Sequence, residues 1–208
     1  MMACISCSQN GIDIPNKGYE TFGSRVPTLS GIMEALRDPN IRTVGMYGPS
    51  GVGKTMLVKE VGRRAKEAKL FDSIVLLFVS RTPILEKLRL KVTRPYPFVG
   101  TLKPKTDNIL IILDDLWESL DLEDIGSASD KKGYKLLLTS RFQEVICNDM
   151  SLEKCFLLDA LPDNEATNLF TKKIRGSIQD SDLQPLATQI VEECAGILIA
   201  HSNQSYRP

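Results

Sequence analysis

Gly48-Pro49-Ser50-Gly51-Val52-Gly53-Lys54-Thr55 fills every fixed position of the pattern G-x-x-x-x-G-K-[ST]. Its surroundings make it informative: the apolar run Thr43-Val44-Gly45-Met46-Tyr47 precedes it and a helical pattern follows. In that setting the glycines let the backbone curl, so that successive N–H groups face one concavity able to cradle nucleotide phosphates. The positive end of the following helix adds to the attraction. Lys54 is expected to reach the β- and γ-phosphates, and the Thr55 hydroxyl to ligate Mg²⁺. The competing reading is a glycine-rich turn with no ligand.

Leu57, Val58, Val61, Ala65 and Ala68 form one apolar stripe of the helix after the loop. Lys59, Glu60, Arg63, Arg64 and Glu67 are expected to face away from it. Gly62 is the one poor helix former in the stretch.

Four more apolar segments follow: Ile74 to Val79, Ile109 to Leu113, Leu136 to Leu138 and Phe156 to Leu158. Continuous apolar runs alternating with helical or loop stretches predict a parallel sheet covered on both faces. Upstream, Leu29, Ile32, Met33 and Leu36 share a helical face between Thr28 and Arg37. Between Arg81 and Asn108 the pattern weakens, and Pro95, Pro97 and Pro104 predict an irregular loop. Beyond Pro162, Ala166, Leu169 and Phe170 fit one helix. Leu183, Leu186, Ala187, Ile190 and Cys194 fit another, with Gly196 suited to its cap.

Ile109-Leu110-Ile111-Ile112-Leu113-Asp114-Asp115 is an apolar strand that ends in two carboxylates. Nucleotide-hydrolysing proteins with a phosphate loop bring an Asp to the sheet edge beside Mg²⁺ in this way. Asp114 is the expected metal-side residue, acting through the water shell, and Asp115 the candidate base for an attacking water. An ordinary strand-ending turn is the alternative. Lys135-Leu136-Leu137-Leu138-Thr139-Ser140-Arg141 ends a further strand in hydroxyls and a guanidinium. If that strand inserts between those carrying the loop and Asp114, Arg141 can distinguish a triphosphate from a diphosphate by forked hydrogen bonds. Otherwise Arg141 is a surface residue paired with a carboxylate such as Glu144.

Composition narrows the classes. Acidic and basic residues balance at 26 each, which argues against nucleic-acid binding through phosphate neutralisation. No apolar run approaches a membrane span, and no long apolar segment opens the chain, so a cytoplasmic protein is expected. Cys4, Cys7, Cys147, Cys155 and Cys194 are odd in number and scattered, which favours free thiols. Cys4-x-x-Cys7 is half of a zinc pattern with no second pair, and His201 lies far away. Acylation of Cys4 or Cys7 is chemically open, although Met2 breaks the N-myristoylation motif that often accompanies it.

The ordered set of motifs resembles one family, the NB-ARC domain of plant nucleotide-binding leucine-rich-repeat immune receptors of the coiled-coil type. The likeness runs from about Tyr19 to Ala200. It rests on the Gly48–Thr55 loop, Leu113-Asp114-Asp115-Leu116-Trp117 and Leu138-Thr139-Ser140-Arg141. Leu161-Pro162, Glu165-Ala166, Leu169-Phe170 and Cys194-Ala195-Gly196 follow in the family's order. The resemblance implies a three-layer α/β sandwich of the P-loop NTPase type, with a parallel five-stranded sheet and then an incomplete helical subdomain. The expected division is a linker with a short helix over 1–40, a nucleotide-binding domain over 41–160 and a partial helical subdomain over 161–208.

The family likeness further implies an ADP/ATP switch with slow or no hydrolysis, used in disease resistance. It implies partners among other domains of such receptors or immune-signalling proteins. Met56 stands where the family carries a second hydroxyl near the α-phosphate, and Ser50 replaces a usual glycine. Ile197-Leu198-Ile199-Ala200 replaces Leu-Pro-Leu-Ala, whose proline lies against adenine. With the chain ending at Pro208, the sequence reads as a truncated form of the family. Two other readings compete: a degenerate remnant or decoy without nucleotide binding, and a small P-loop kinase or NTPase.

Overall fold

The computed structural model describes residues 19–79, 108–120 and 134–175. The irregular loop expected between Arg81 and Asn108, the helix through Leu183 and Cys194, the Gly196 cap, His201, Cys4 and Cys7 lie outside the described residues.

Five parallel strands form one sheet: β1 (Thr43–Tyr47), β2 (Ser73–Phe78), β3 (Ile109–Leu116), β4 (Tyr134–Ser140) and β5 (Lys154–Leu157). Their order is β2-β3-β4-β1-β5. β4 therefore lies between the strand carrying the phosphate loop and the strand carrying the two carboxylates. Register aligns their tips: Tyr47 pairs with Ser140 on one side of β4, and Leu116 with Ser140 on the other.

Strand alternation divides the core between two faces. Leu110 and Ile112 of β3 and Leu137 of β4 enter one cluster with α1 (Val26–Arg37) and α2 (Lys54–Glu67). Leu113 and Leu116, with Leu136 and Leu138, enter a second cluster under a π-helical turn, Glu144–Asp149. Strands covered on both faces read as unbroken apolar runs, which is why their positions were visible in the sequence. Each fully buried Leu or Ile contributes roughly 1.5–3 kcal/mol relative to exposure.

α1 begins with Pro27 near its N-terminus, where the missing N–H costs nothing. Leu29, Ile32, Met33, Ala35 and Leu36 bury its inner face in the same cluster as β1 and α2. α3 (Asp163–Arg175) carries Ala166, Leu169 and Phe170 into a small satellite cluster with Leu161 and Phe22.

The stripe on α2 needs two corrections. Glu60, expected on the outer face, is buried, and its carboxylate receives Arg63 at 2.7 Å and Arg64 at 2.9 Å. A helix wheel cannot see Tyr19, which packs against the core cluster of α2 and lies close to the Glu60 charge. Burial raises the Tyr19 phenol above its usual range, and the nearby Glu60 charge adds to the rise. Ala68, expected inside, is exposed, because α2 has ended and Ala68 is its C-cap.

Candidate functional site

The loop between β1 and α2 is shaped by its glycines. A Cβ on Gly48 would lie 2.1 Å from the Leu158 carbonyl oxygen, so no side chain fits there. Gly51 and Gly53 have φ of 83° and 100°, a region that favours glycine. Gly53 is also the N-cap of α2, and no side chain caps that end. The first-turn N–H groups thus lack a side-chain acceptor, the condition in which a helix N-terminus takes an anion. Ser50 substitutes for a glycine without strain. Among the described residues, positive φ outside glycine occurs only at Lys69, Asp115 and Ser151.

Lys54 is 7% exposed, and its ammonium donates to the carbonyls of Gly48 and Pro49, each at 2.7 Å. Burial lowers its pKa from the ordinary 10.5; Asp115 and Asp114 oppose that shift, while Arg141 adds to it. The result is a desolvated cation held by two neutral carbonyls at the mouth of the loop. Pro49 and Ser50 are exposed, and Met56 is half-buried in the first turn of α2.

Asp114 is 1% exposed. One of its oxygens accepts a hydrogen bond from the Thr55 hydroxyl at 2.6 Å, the other from the Thr139 hydroxyl at 2.5 Å. Thr139 Oγ1 in turn accepts the Asp115 N–H at 2.9 Å. A hydroxyl has one donor and two acceptor positions, and Thr139 uses both functions. Thr55, at the start of α2, thereby meets the tip of β3, and Asp114 links it to Thr139 of β4.

The second carboxylate needs a break in the strand. Successive side chains point to opposite faces, so Asp114 and Asp115 would ordinarily diverge. The β3–β4 register shifts between Leu113 and Leu116, and Asp115 takes φ 63°. Its carboxylate then meets Arg141 in a fork, Nε to Oδ1 at 3.0 Å and Nη2 to Oδ2 at 3.1 Å. The side chains of this pair are 34% and 35% exposed. The guanidinium carbon also lies 4.2 Å from the centroid of the Trp117 ring, which meets Phe142 edge-on at 6.0 Å. Arg141 pairs with a carboxylate, but that carboxylate is Asp115 and not Glu144.

The structure thus gathers the phosphate loop, Asp114, Asp115 and Arg141 at one sheet edge. Two contacts escaped the sequence. Thr139 bridges the Asp114 carboxylate and the Asp115 backbone N–H, which only the strand order reveals. Arg25, 27 residues before Val52, donates to the Val52 carbonyl at 3.2 Å, and no motif links the two positions.

The sequence model of the NB-ARC domain matches residues 27–96 and 98–178. The chain belongs to the NB-ARC family. A disease resistance protein of Arabidopsis thaliana is 28% identical over 204 residues, 88% of this chain and 20% of its own length. Two probable disease resistance proteins of the same plant are 36% identical over 182 residues and 31% identical over 199. These cover 77% and 83% of this NB-ARC chain, but 21% and 23% of the relatives. The chain therefore spans about a fifth of the length of these relatives.

Two solved structures share the fold at 13% identity. The structure of C. elegans PCH-2 aligns with a TM-score of 0.59 over 89% of this chain and 63% of its own. The E. coli MS115-1 HORMA:CdnC:Trip13 complex aligns at 0.54 over 83% and 78%.

Among the described residues no cluster of three His, Cys, Asp or Glu side chains can hold a metal ion, and no helix is long and apolar enough to cross a membrane. Cys147 and Cys155 are free thiols, and burial together with a hydrogen bond involving Cys147 pushes Cys155 up to about 12.

Proposed function

We propose that this NB-ARC chain is the ADP/ATP-binding module of a plant disease-resistance protein, acting in the cytoplasm as a switch with slow or no hydrolysis. The observation that carries the reading is the joining of an uncapped glycine loop, a buried Lys54 and the Thr55–Asp114 oxygen pair at one sheet edge. Loop N–H groups and Lys54 supply donors for phosphate oxygens. Thr55 and Asp114 are hard oxygen donors 2.6 Å apart, a set that suits Mg²⁺. Bound Mg²⁺ would neutralise phosphate charge.

The remaining residues explain restraint. Asp115, the candidate base, has both oxygens engaged by Arg141. While the fork holds, the guanidinium competes with an attacking water for the same two oxygens. Turnover requires Arg141 to leave Asp115. The same departure would free its fork for a terminal phosphate, which is how Arg141 would distinguish ATP from ADP. A metabolite kinase is the less favoured reading, since the relatives are disease resistance proteins. A degenerate remnant fits poorly with a complete, hydrogen-bonded loop.

Calorimetric titration of the chain with ADP and ATP, with and without Mg²⁺, tests the reading. The wild type is expected to bind both. Thr55→Val is expected to lose only the Mg²⁺-dependent gain. No binding by folded wild type, or a Mg²⁺ gain undiminished in Thr55→Val, would overturn it.

A further inference from the structure

The segment Tyr19–Arg25 lies before the residues matched by the family model, yet it touches both the phosphate loop and α3. On the α3 side, the Ser24 N–H donates to Glu165 Oε1 at 3.0 Å, and the Ser24 hydroxyl donates to Glu165 Oε2. Phe22 packs on Leu161, Ala166, Leu169 and Phe170, and Lys172 pairs with Glu20 at 2.9 Å. On the loop side, Arg25 is 6% exposed and donates through Nη2 to the Val52 carbonyl.

That carbonyl belongs to the peptide joining Val52 to Gly53. A trans peptide is planar, so its C=O and N–H point in opposite directions. Holding the Val52 oxygen therefore fixes the Gly53 N–H, directed away from Arg25. A buried guanidinium is costly unless answered by acceptors and negative charge. The negative charge near Arg25 comes from Glu165 on α3 and from Asp159 just before it. Docking of α3 thus helps to hold Arg25 on the loop.

We propose that Tyr19–Arg25 is a strap coupling α3 to the phosphate loop, with Arg25 a positioning residue for the Gly53 N–H and Glu165 the anchor on α3. This rests on the nucleotide reading above and adds a regulatory connection to the same site. Coupling is reciprocal: ligand that engages the loop tightens α3, and release of α3 loosens the ligand.

Hydrogen exchange of the whole chain, with and without ADP, combined with the dissociation rate of a fluorescent ADP, tests the strap. In wild type, ADP is expected to slow exchange in α3. Arg25→Gln is expected to speed ADP dissociation about tenfold and to abolish that protection. Arg25→Lys should recover part of both, because one donor can still reach the carbonyl. Glu165→Gln alters neither Arg25 nor a loop residue itself, so it serves even if the Arg25 variants fail to fold. It should still take up ADP but release it faster than wild type, and lose α3 protection. Wild-type protection in Glu165→Gln, or a wild-type dissociation rate in Arg25→Gln, overturns the strap while leaving the nucleotide reading standing. If wild type takes up no ADP, the nucleotide reading falls. The strap is then judged by nucleotide-free exchange at Gly51–Thr55: faster in Glu165→Gln supports it, and unchanged overturns it.

Discussion

Asp114 and Asp115 are adjacent in sequence but occupy opposite physical regimes. Asp114 is 1% exposed and answered by two neutral hydroxyls, those of Thr55 and Thr139. The Asp115 side chain is 35% exposed, sits at positive φ and is answered by the Arg141 fork. Hydrogen bonds to a buried charged group contribute about 1.5–3 kcal/mol each, whereas an exposed ion pair contributes about 0–1 kcal/mol. The inner carboxylate is therefore fixed in place, while the outer pair can part cheaply. A nucleotide switch benefits from both: a constant place for a cation, and a guanidinium that can change partners.

The largest expected effect falls on the inner side. Thr139→Val leaves an Asp114 oxygen and the Asp115 N–H without their partner. It should cost about 1–3 kcal/mol in urea unfolding, and a loss below about 0.5 kcal/mol would erase the contrast. Next comes Lys54. Its folded pKa is lowered by burial, so at neutral pH the folded state carries the cost of a desolvated charge. As pH rises toward the free-chain value of 10.5, the unfolded chain retains the proton that the folded chain sheds, and stability gains. Urea midpoints at pH 8 and 10 should show Lys54→Met lacking this relative gain. Parallel pH dependence in the two proteins would contradict the desolvated state of Lys54. The smallest effect is Arg141→Ala, expected below about 1 kcal/mol. A cost matching that of Thr139→Val would show that the outer pair is as fixed as the inner.

Much of this arrangement was readable in the sequence, for physical reasons. The central strands β3 and β4 carry unbroken apolar runs because both their faces are covered, and the loop glycines are dictated by the close approach at Gly48 and the positive φ at Gly51 and Gly53. Thr55 and Lys54 follow from that local geometry, and Asp114 from the end of the apolar β3 run. What the sequence hid depends on contacts between distant segments. Glu60 seemed external because the segment around Tyr19 is not part of its helix. Arg141 had Glu144 as its nearest carboxylate in sequence, but the register shift in β3 delivers Asp115 instead. Arg25 and Glu165 carry no spacing that marks them, and only the docking of α3 brings them together.

The most direct test of the central claim is to denature the purified chain and identify released nucleotide by chromatography, with Lys54→Met in parallel. The account predicts ADP from the wild type in amounts equal to the chain, and none from Lys54→Met. A folded wild type that releases no nucleotide, or equal release from both proteins, would contradict it.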